Sequence, residues 1–328
     1  MVTIDWKSYY RDELARPEAR RDLERYFEEP RQDKEIDELL ARGAILSFPH
    51  TALSYAGPLQ ARVVAGLSRA GVERVLALGV FHASTLPPAA ETDRRLLVDE
   101  SAPPHERTVA YARLSGGFIP PERIARTPFG EVPVLAAADL DAVRVDRDGL
   151  LRSEFSLDTF LSLLAFHAQA RGRRPPEVLT VYVGPTRDPV TGGFEVADRL
   201  AASLSSWVTP GTAVVTTGDL VHYGTAYGPP ERMAGRPSDP EALEALFTRE
   251  TTTALDLALA GDRAAAFERS NTVLQDDQRN ILPVLTRLLG PGAGYQILSF
   301  SLSDYAGILE VAPPCVVASA LVAYLPRT

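Results

Sequence analysis

Three of the five histidines each follow a strand-like run and stand among glycine, serine, threonine or proline. His50 closes residues 44–48 in Phe48-Pro49-His50-Thr51, and His82 closes residues 74–80 in Gly79-Val80-Phe81-His82. His222 follows residues 212–217 in Thr217-Gly218-Asp219-Leu220-Val221-His222-Tyr223-Gly224. Ligands of α/β proteins gather at the carboxyl ends of strands. His50 and His82, one helix apart, are expected on neighbouring strands with both imidazoles on the same sheet edge. Two neutral imidazoles and one carboxylate form a facial set that holds Fe(II) and leaves positions open for O2 and a substrate. A third histidine, titrating near neutrality, can move protons. Spacing alone does not choose the carboxylate. Asp219 either orients His222 or caps the following turn. Tyr55 and Tyr223 flank the histidines, either packed or donating hydrogen bonds to bound oxygen. His105, in a proline-rich stretch, is expected on a surface loop, and His167 in a core or helix-end position.

The elements that must position these residues are legible from pattern. Apolar, β-branched runs at 44–48, 74–80, 178–184 and 212–217 predict buried strands, joined late by 295–303 and 316–324. Helices are expected at 59–69, 153–171, 194–207, 240–260 and 277–289, the second with an apolar face that includes Phe155. Arg171, Arg173 and Arg174 suit its C-terminus, which attracts cations. Strands alternating with helices predict a three-layer α/β/α sandwich in one large domain spanning 44–328. Residues 127–140 read as an extended segment and turn. Residues 85–128, rich in proline and weak in periodicity, are expected to form a lid. Residues 1–43 read as a charged helical arm broken near Pro30, with Leu23, Tyr26, Phe27, Ile36, Leu39 and Leu40 as a narrow apolar stripe. A solvated arm or cap is the expectation there, and a homodimer contact the alternative.

Composition narrows the partners. With 34 Lys and Arg against 43 Asp and Glu, the net charge is −9, and the pI is about 5.2. An acidic surface argues against nucleic acid or an anionic membrane as the main partner. The single cysteine, Cys315, excludes a disulfide within the chain and any zinc site of several cysteines. It sits in an apolar run and is expected in the core. No run is long and apolar enough to span a bilayer, and residues 1–42 lack the apolar stretch of a signal peptide. A cytoplasmic location is the expectation. No Gly-x-Ser-x-Gly elbow, His-Glu-x-x-His helix, phosphate loop or dinucleotide fingerprint occurs.

Pro49-His50, Ser54-Tyr55-Ala56-Gly57, Gly79-Val80-Phe81-His82 and the Thr216-to-Gly224 run together resemble the Memo family, which is related in fold to the class III extradiol dioxygenases. Arg126-Thr127-Pro128-Phe129-Gly130, Glu154-Phe155-Ser156-Leu157-Asp158 and Ser299-Phe300-Ser301-Leu302-Ser303-Asp304-Tyr305 extend the match, which runs from about Ala44 onward. The resemblance implies that His50 and His82 bind a metal and that His222 serves as acid/base. Its third ligand, a glutamate in the dioxygenases and a cysteine in some Memo proteins, falls on Asp277 in Asp277-Gln278-Arg279, with Asp276 the rival one residue away. The family's Glu-His-Ser reads Glu154-Phe155-Ser156 here, which removes one polar group, and residues 85–128 match poorly.

The implied activity is a nonheme Fe(II)-dependent oxygenase or oxidase acting with O2 on a small chelating substrate, extradiol cleavage being one form. His222 would move a proton to or from the substrate, assisted by Asp219 and Tyr55. Cu or Zn is the alternative metal, disfavoured by the replacement of a thiolate with a carboxylate. The alternative function is a non-catalytic metal-binding redox or interaction protein, and a metal-dependent hydrolase stands third.

Overall fold

Short apolar strands pair into one nine-stranded sheet in the computed structural model, which describes residues 4–28, 32–135 and 140–327. The strands are β1 (Ile45–Phe48), β2 (Arg74–Val80), β3 (Gly117–Ile119), β4 (Ile124–Thr127), β5 (Gly130–Pro133) and β6 (Val143–Val145), followed by β7 (Glu177–Val183), β8 (Thr212–Thr217), β9 (His222–Gly224), β10 (Gly294–Asp304) and β11 (Cys315–Leu325). They run in the order β10-β11-β1-β8-β2-β7-β3-β6, with β9 also on β11, while β4 and β5 form a separate hairpin. The centre, β1-β8-β2-β7, is parallel, and β11 joins β1 antiparallel. Every residue of β1 and all but the first of β2 and β7 are buried. That is the pattern of a parallel sheet covered on both faces, and it explains why these strands are continuous apolar runs.

Successive strand residues serve opposite layers. Val75 and Ala77 join one core and Leu76 and Leu78 the other. The first layer holds α1 (Trp6–Ala15), α2 (Pro17–Glu28), α3 (Lys34–Ala41) and α4 (Leu53–Arg69). Two further helices, α5 (Glu91–Val98) and α6 (Pro104–Leu114), pack together, and α7 (Asp158–Ala170) completes the first layer. The second layer comprises α8 (Glu195–Ser205), α9 (Pro240–Leu259), α10 (Arg263–Arg269) and α11 (Leu282–Leu289), and a last short helix, α12 (Ala306–Leu309), precedes β11. The chain is an α/β/α sandwich. Among the described residues no helix is long and apolar enough to cross a membrane.

Three expectations change and one is narrowed. β8 lies between β1 and β2, so His50 and His82 close strands that are not neighbours; the interposed strand begins only at Thr212, far beyond both in the chain. Of the two forms expected for the N-terminal segment, solvated arm or cap, residues 4–28 and 32–43 take the cap: Leu23, Phe27, Ile36 and Leu39 of the expected stripe belong to the same core as Phe48 and Val63. The expected break near Pro30 lies outside the described residues. Residues 85–128 hold two helices and a strand of the main sheet, because Pro88 and Pro104 occupy helix starts, where a missing N–H costs nothing. The helix expected from residue 153 begins at Asp158 and is buried at every position from Thr159 to Ala168, so no apolar stripe marked its start.

Candidate metal centre

The carboxyl ends of β1, β2 and β8 share one edge of the parallel sheet, and the expected histidines converge there. His50 is held rigidly. Its backbone N–H donates to Asp219 Oδ1 at 3.1 Å, and its Nδ1 lies 3.2 Å from Thr217 Oγ1. Around it, Gln60 donates to the Pro49 carbonyl, and Thr51 meets Ser319 on β11. Glu13 of α1 accepts from the Leu53 N–H, and the Tyr305 hydroxyl accepts from the Ala52 N–H. These two distant oxygens satisfy the start of α4, where Ala52 offers no capping side chain.

Glu154 organises His82. Its Oε1 accepts from His82 Nδ1 at 3.0 Å and its Oε2 from the His82 backbone N–H at 2.8 Å. Phe155 N–H, Ser156 N–H and the Thr85 hydroxyl also donate to it. Burial works against the Glu154 carboxylate, but the His82 charge and these donors prevail and hold it at about 2. Burial would likewise lower His82, yet Glu154 and Asp277 outweigh it and raise the imidazole to about 10.

Asp277 opens a 3-10 turn, Asp277–Asn280, that is tied down on three sides. Its N–H donates to the Asp219 carbonyl at 3.0 Å. The next residue, Gln278, is fully buried, donates to Ser47 of β1 and accepts from the Tyr324 hydroxyl of β11. Gly218 permits the approach, since a Cβ there would stand 2.4 Å from Gln278 Cγ. Between the two rival aspartates the geometry is clear. Asp276 caps the turn through the Gln278 N–H and faces Ser270, and burial raises it to about 8. Asp277 instead faces the histidines. Its Oδ2 lies 3.3 Å from His50 Nε2, 3.6 Å from His82 Nε2 and 3.8 Å from His222 Nε2. That oxygen is buried and has no hydrogen bond of good geometry. Burial penalises the Asp277 charge, but His222, His50 and His82 more than compensate and hold it well below the ordinary carboxylate range.

Donor chemistry is that of a cluster that could hold a cation. His82 Nδ1 faces a carboxylate and His222 Nδ1 faces the Gln275 carbonyl at 2.9 Å. Both partners only accept, so both Nδ1 atoms carry protons, and each Nε2 is the ring atom turned toward Asp277, where it offers a lone pair once its own proton is displaced. Lone pairs converging on a carboxylate oxygen repel unless protons or a metal ion lie between them. His50, His82 and Asp277 bring ligand atoms within 4.8 Å of one another, and Asp219, His222 and Asp277 form a second such group. Ligand bonds of about 2.0–2.2 Å place adjacent ligand atoms roughly 3.0–3.4 Å apart, close to the spacings of Asp277 from His50 and His82.

Other expected residues fall elsewhere. The Tyr55 hydroxyl donates to the Asp304 carbonyl at 3.2 Å and stands with the aromatic group of Tyr305, so it is not directed at Asp277. Tyr223 is buried against Phe247 in the second layer. Asp219 serves His50 first: its Oδ2 is 3.8 Å from His50 Nε2, and burial raises its carboxyl. Phe155 precedes α7 and lines the centre, stacked on His82 at 4.6 Å and edge-on to His50 at 5.7 Å. Tyr10 of α1 packs on Phe155 at 5.3 Å. His105 is exposed on α6, and His167 is buried against Phe27. Cys315 is buried at the start of β11 and belongs to neither ligand group.

Sequence reading missed Glu154, Thr217, Gln275, Gln278 and Tyr227, whose ring lies 4.9 Å from His222. Glu154 gave a signal as the glutamate of the Glu154-Phe155-Ser156 match, though no role was attached to it. No protein-family model and no curated protein matches the chain.

Proposed function

We propose that this chain is a Memo-like nonheme Fe(II)-dependent oxygenase or oxidase, using O2 on a small organic substrate that chelates the metal. The observation that carries the reading is the buried Asp277 Oδ2, without a hydrogen bond and faced by three imidazole Nε2 atoms. His50, His82 and Asp277 would hold the ion, with Cu or Zn the alternative. Bound there, Fe(II) would supply electron transfer to O2 and an electrophilic anchor for substrate oxygen or nitrogen donors. The residues do the remainder. Glu154 and Thr217 orient the rings of His82 and His50. His222, with Nδ1 fixed on the Gln275 carbonyl, keeps Nε2 free to accept a proton from a substrate hydroxyl and return it later. Phe155 and Tyr10 exclude water from one side of the ligands.

The test is an anaerobic Fe(II) titration of metal-free protein, with nitric oxide as a spectroscopic surrogate for O2. Stoichiometric iron that is lost in His50→Ala and in Asp277→Ala, with nitric oxide bound in the wild type, is the expected result. Tight zinc or copper with weak iron, or an Asp277→Ala variant that binds as the wild type does, overturns it. A non-catalytic metal-binding protein is the second reading, favoured if His222→Ala leaves both metal binding and O2 uptake unchanged.

A further inference from the structure

At the opposite end of the sheet, where β2 and β7 begin, a second hollow of about 300 Å3 opens between the C-terminal ends of α4 and α7. Its body is apolar, formed by Val64, Leu67 and Leu164 among others. Its polar lining includes Ser68, His167, Arg171, Arg173 and Arg174, with Glu73 and Glu177 on the strand side. Among the described residues, none of these three guanidinium groups has an ion pair or hydrogen bond. One cation complements the end of a helix; three unpaired ones around a hollow exceed that need. His167 is only 6% exposed, stacks beside Phe27 at 4.5 Å, and makes no hydrogen bond through its ring nitrogens to any described residue. An imidazole that lines a cavity and has no hydrogen-bond partner among the described residues has a donor available to a ligand.

We propose that this hollow binds a small organic anion, a carboxylate or phosphate monoester attached to an apolar body. Arg171 and Arg173 hold the charge, Arg174 stands at the mouth, and His167 donates one hydrogen bond. The apolar walls take the body of the ligand, and a volume near 300 Å3 matches the lower end of small-molecule sites. Burial, then the charges of Arg171, Arg69 and Arg173, lower His167 to about 4, so the ring is neutral near pH 7 and sits in a positive field. Arginine suits this task because its planar fork matches two oxygens of either anion.

Isothermal titration of the full-length, metal-stripped protein tests the site. Phenyl phosphate and benzoate are the probes; phenol and inorganic phosphate are the controls. Saturable one-to-one binding of at least one probe is expected, weakened about tenfold in Arg171→Ala and in Arg173→Ala. The tighter probe identifies the anion class. Both arginines are exposed, so the variants are expected to melt as the wild type does. Binding that persists in His50→Ala separates this hollow from the metal centre. His167→Phe keeps the ring volume and removes the donor, and is expected to weaken binding as well. The proposal is overturned if neither probe saturates, if both arginine variants bind as the wild type does, or if inorganic phosphate binds as tightly as phenyl phosphate.

Discussion

Glu154 is the side chain on which the chemistry of His82 turns. By fixing the Nδ1 proton it directs Nε2 toward Asp277 and raises the basicity of the ring. Glu154→Gln is expected to lower iron affinity by about 10–100-fold while leaving the fold intact, measured by competition with a chelator. A pH signature follows. His82 stands at about 10 in the folded metal-free protein against an ordinary 6.5. Its contribution to stability is therefore complete below about 6.5 and is lost as pH rises through about 10. Melting temperature of the metal-free protein is expected to fall across that window, and Glu154→Gln to flatten the fall. A wild-type profile that stays level to pH 10 would count against the coupling. Metal replaces the same proton, so iron affinity should rise with pH over this range. The histidines were readable because a strand-end histidine among small residues has an unusual context. Glu154 was not, because a sequence does not show which ring a buried carboxylate touches.

Elements explain why the ligand set assembles at all. Strand runs were legible because burial on both faces leaves only β-branched and apolar residues. Strand order was not, since no local pattern in residues 212–217 says that β8 inserts between β1 and β2. That insertion delivers Thr217 and Asp219 to His50 and provides the backbone carbonyl on which the Asp277 turn rests. Gly218 sets the clearance of that turn. Gly218→Ala is expected to cost roughly 1–3 kcal/mol through overpacking and to push Gln278, and Asp277 with it, away from the histidines. Iron affinity should drop while zinc binding by a His50–His82 pair persists weakly, read by metal analysis after dialysis. Equal iron occupancy in the variant would show that the turn has room to move. The same reasoning accounts for α7, whose all-round burial erased the period that marks a helix edge.

Across the whole molecule, residues 4–28 and 32–43 contribute to one core with the sheet. Leu14, Leu23, Phe27, Ile36 and Leu39 are buried against the first layer. At roughly 1.5–3 kcal/mol for each side chain, their burial contributes on the order of 10 kcal/mol, comparable to the net stability of a typical domain at about 5–15 kcal/mol. Deleting residues 1–43 is therefore expected to give insoluble or unfolded protein, assessed by soluble yield and circular dichroism. A well-folded truncated protein would show that the arm is dispensable after all. A charged composition suggested solvation because the stripe is narrow; what it packs on, the outer face of α4, is fixed only in three dimensions.

The position of β11 has a consequence for synthesis. It pairs with β1, β9 and β10, so the strand beside His50 is made after every strand it joins. As the chain leaves the ribosome, β1 and β8 can find each other while the other side of β1 still offers unpaired amide and carbonyl groups. Such an open edge invites wrong partners. Ser319 and Tyr324, which steady the His50 loop and Gln278, also arrive on that strand. The nascent chain therefore carries its histidines long before it can hold them in place.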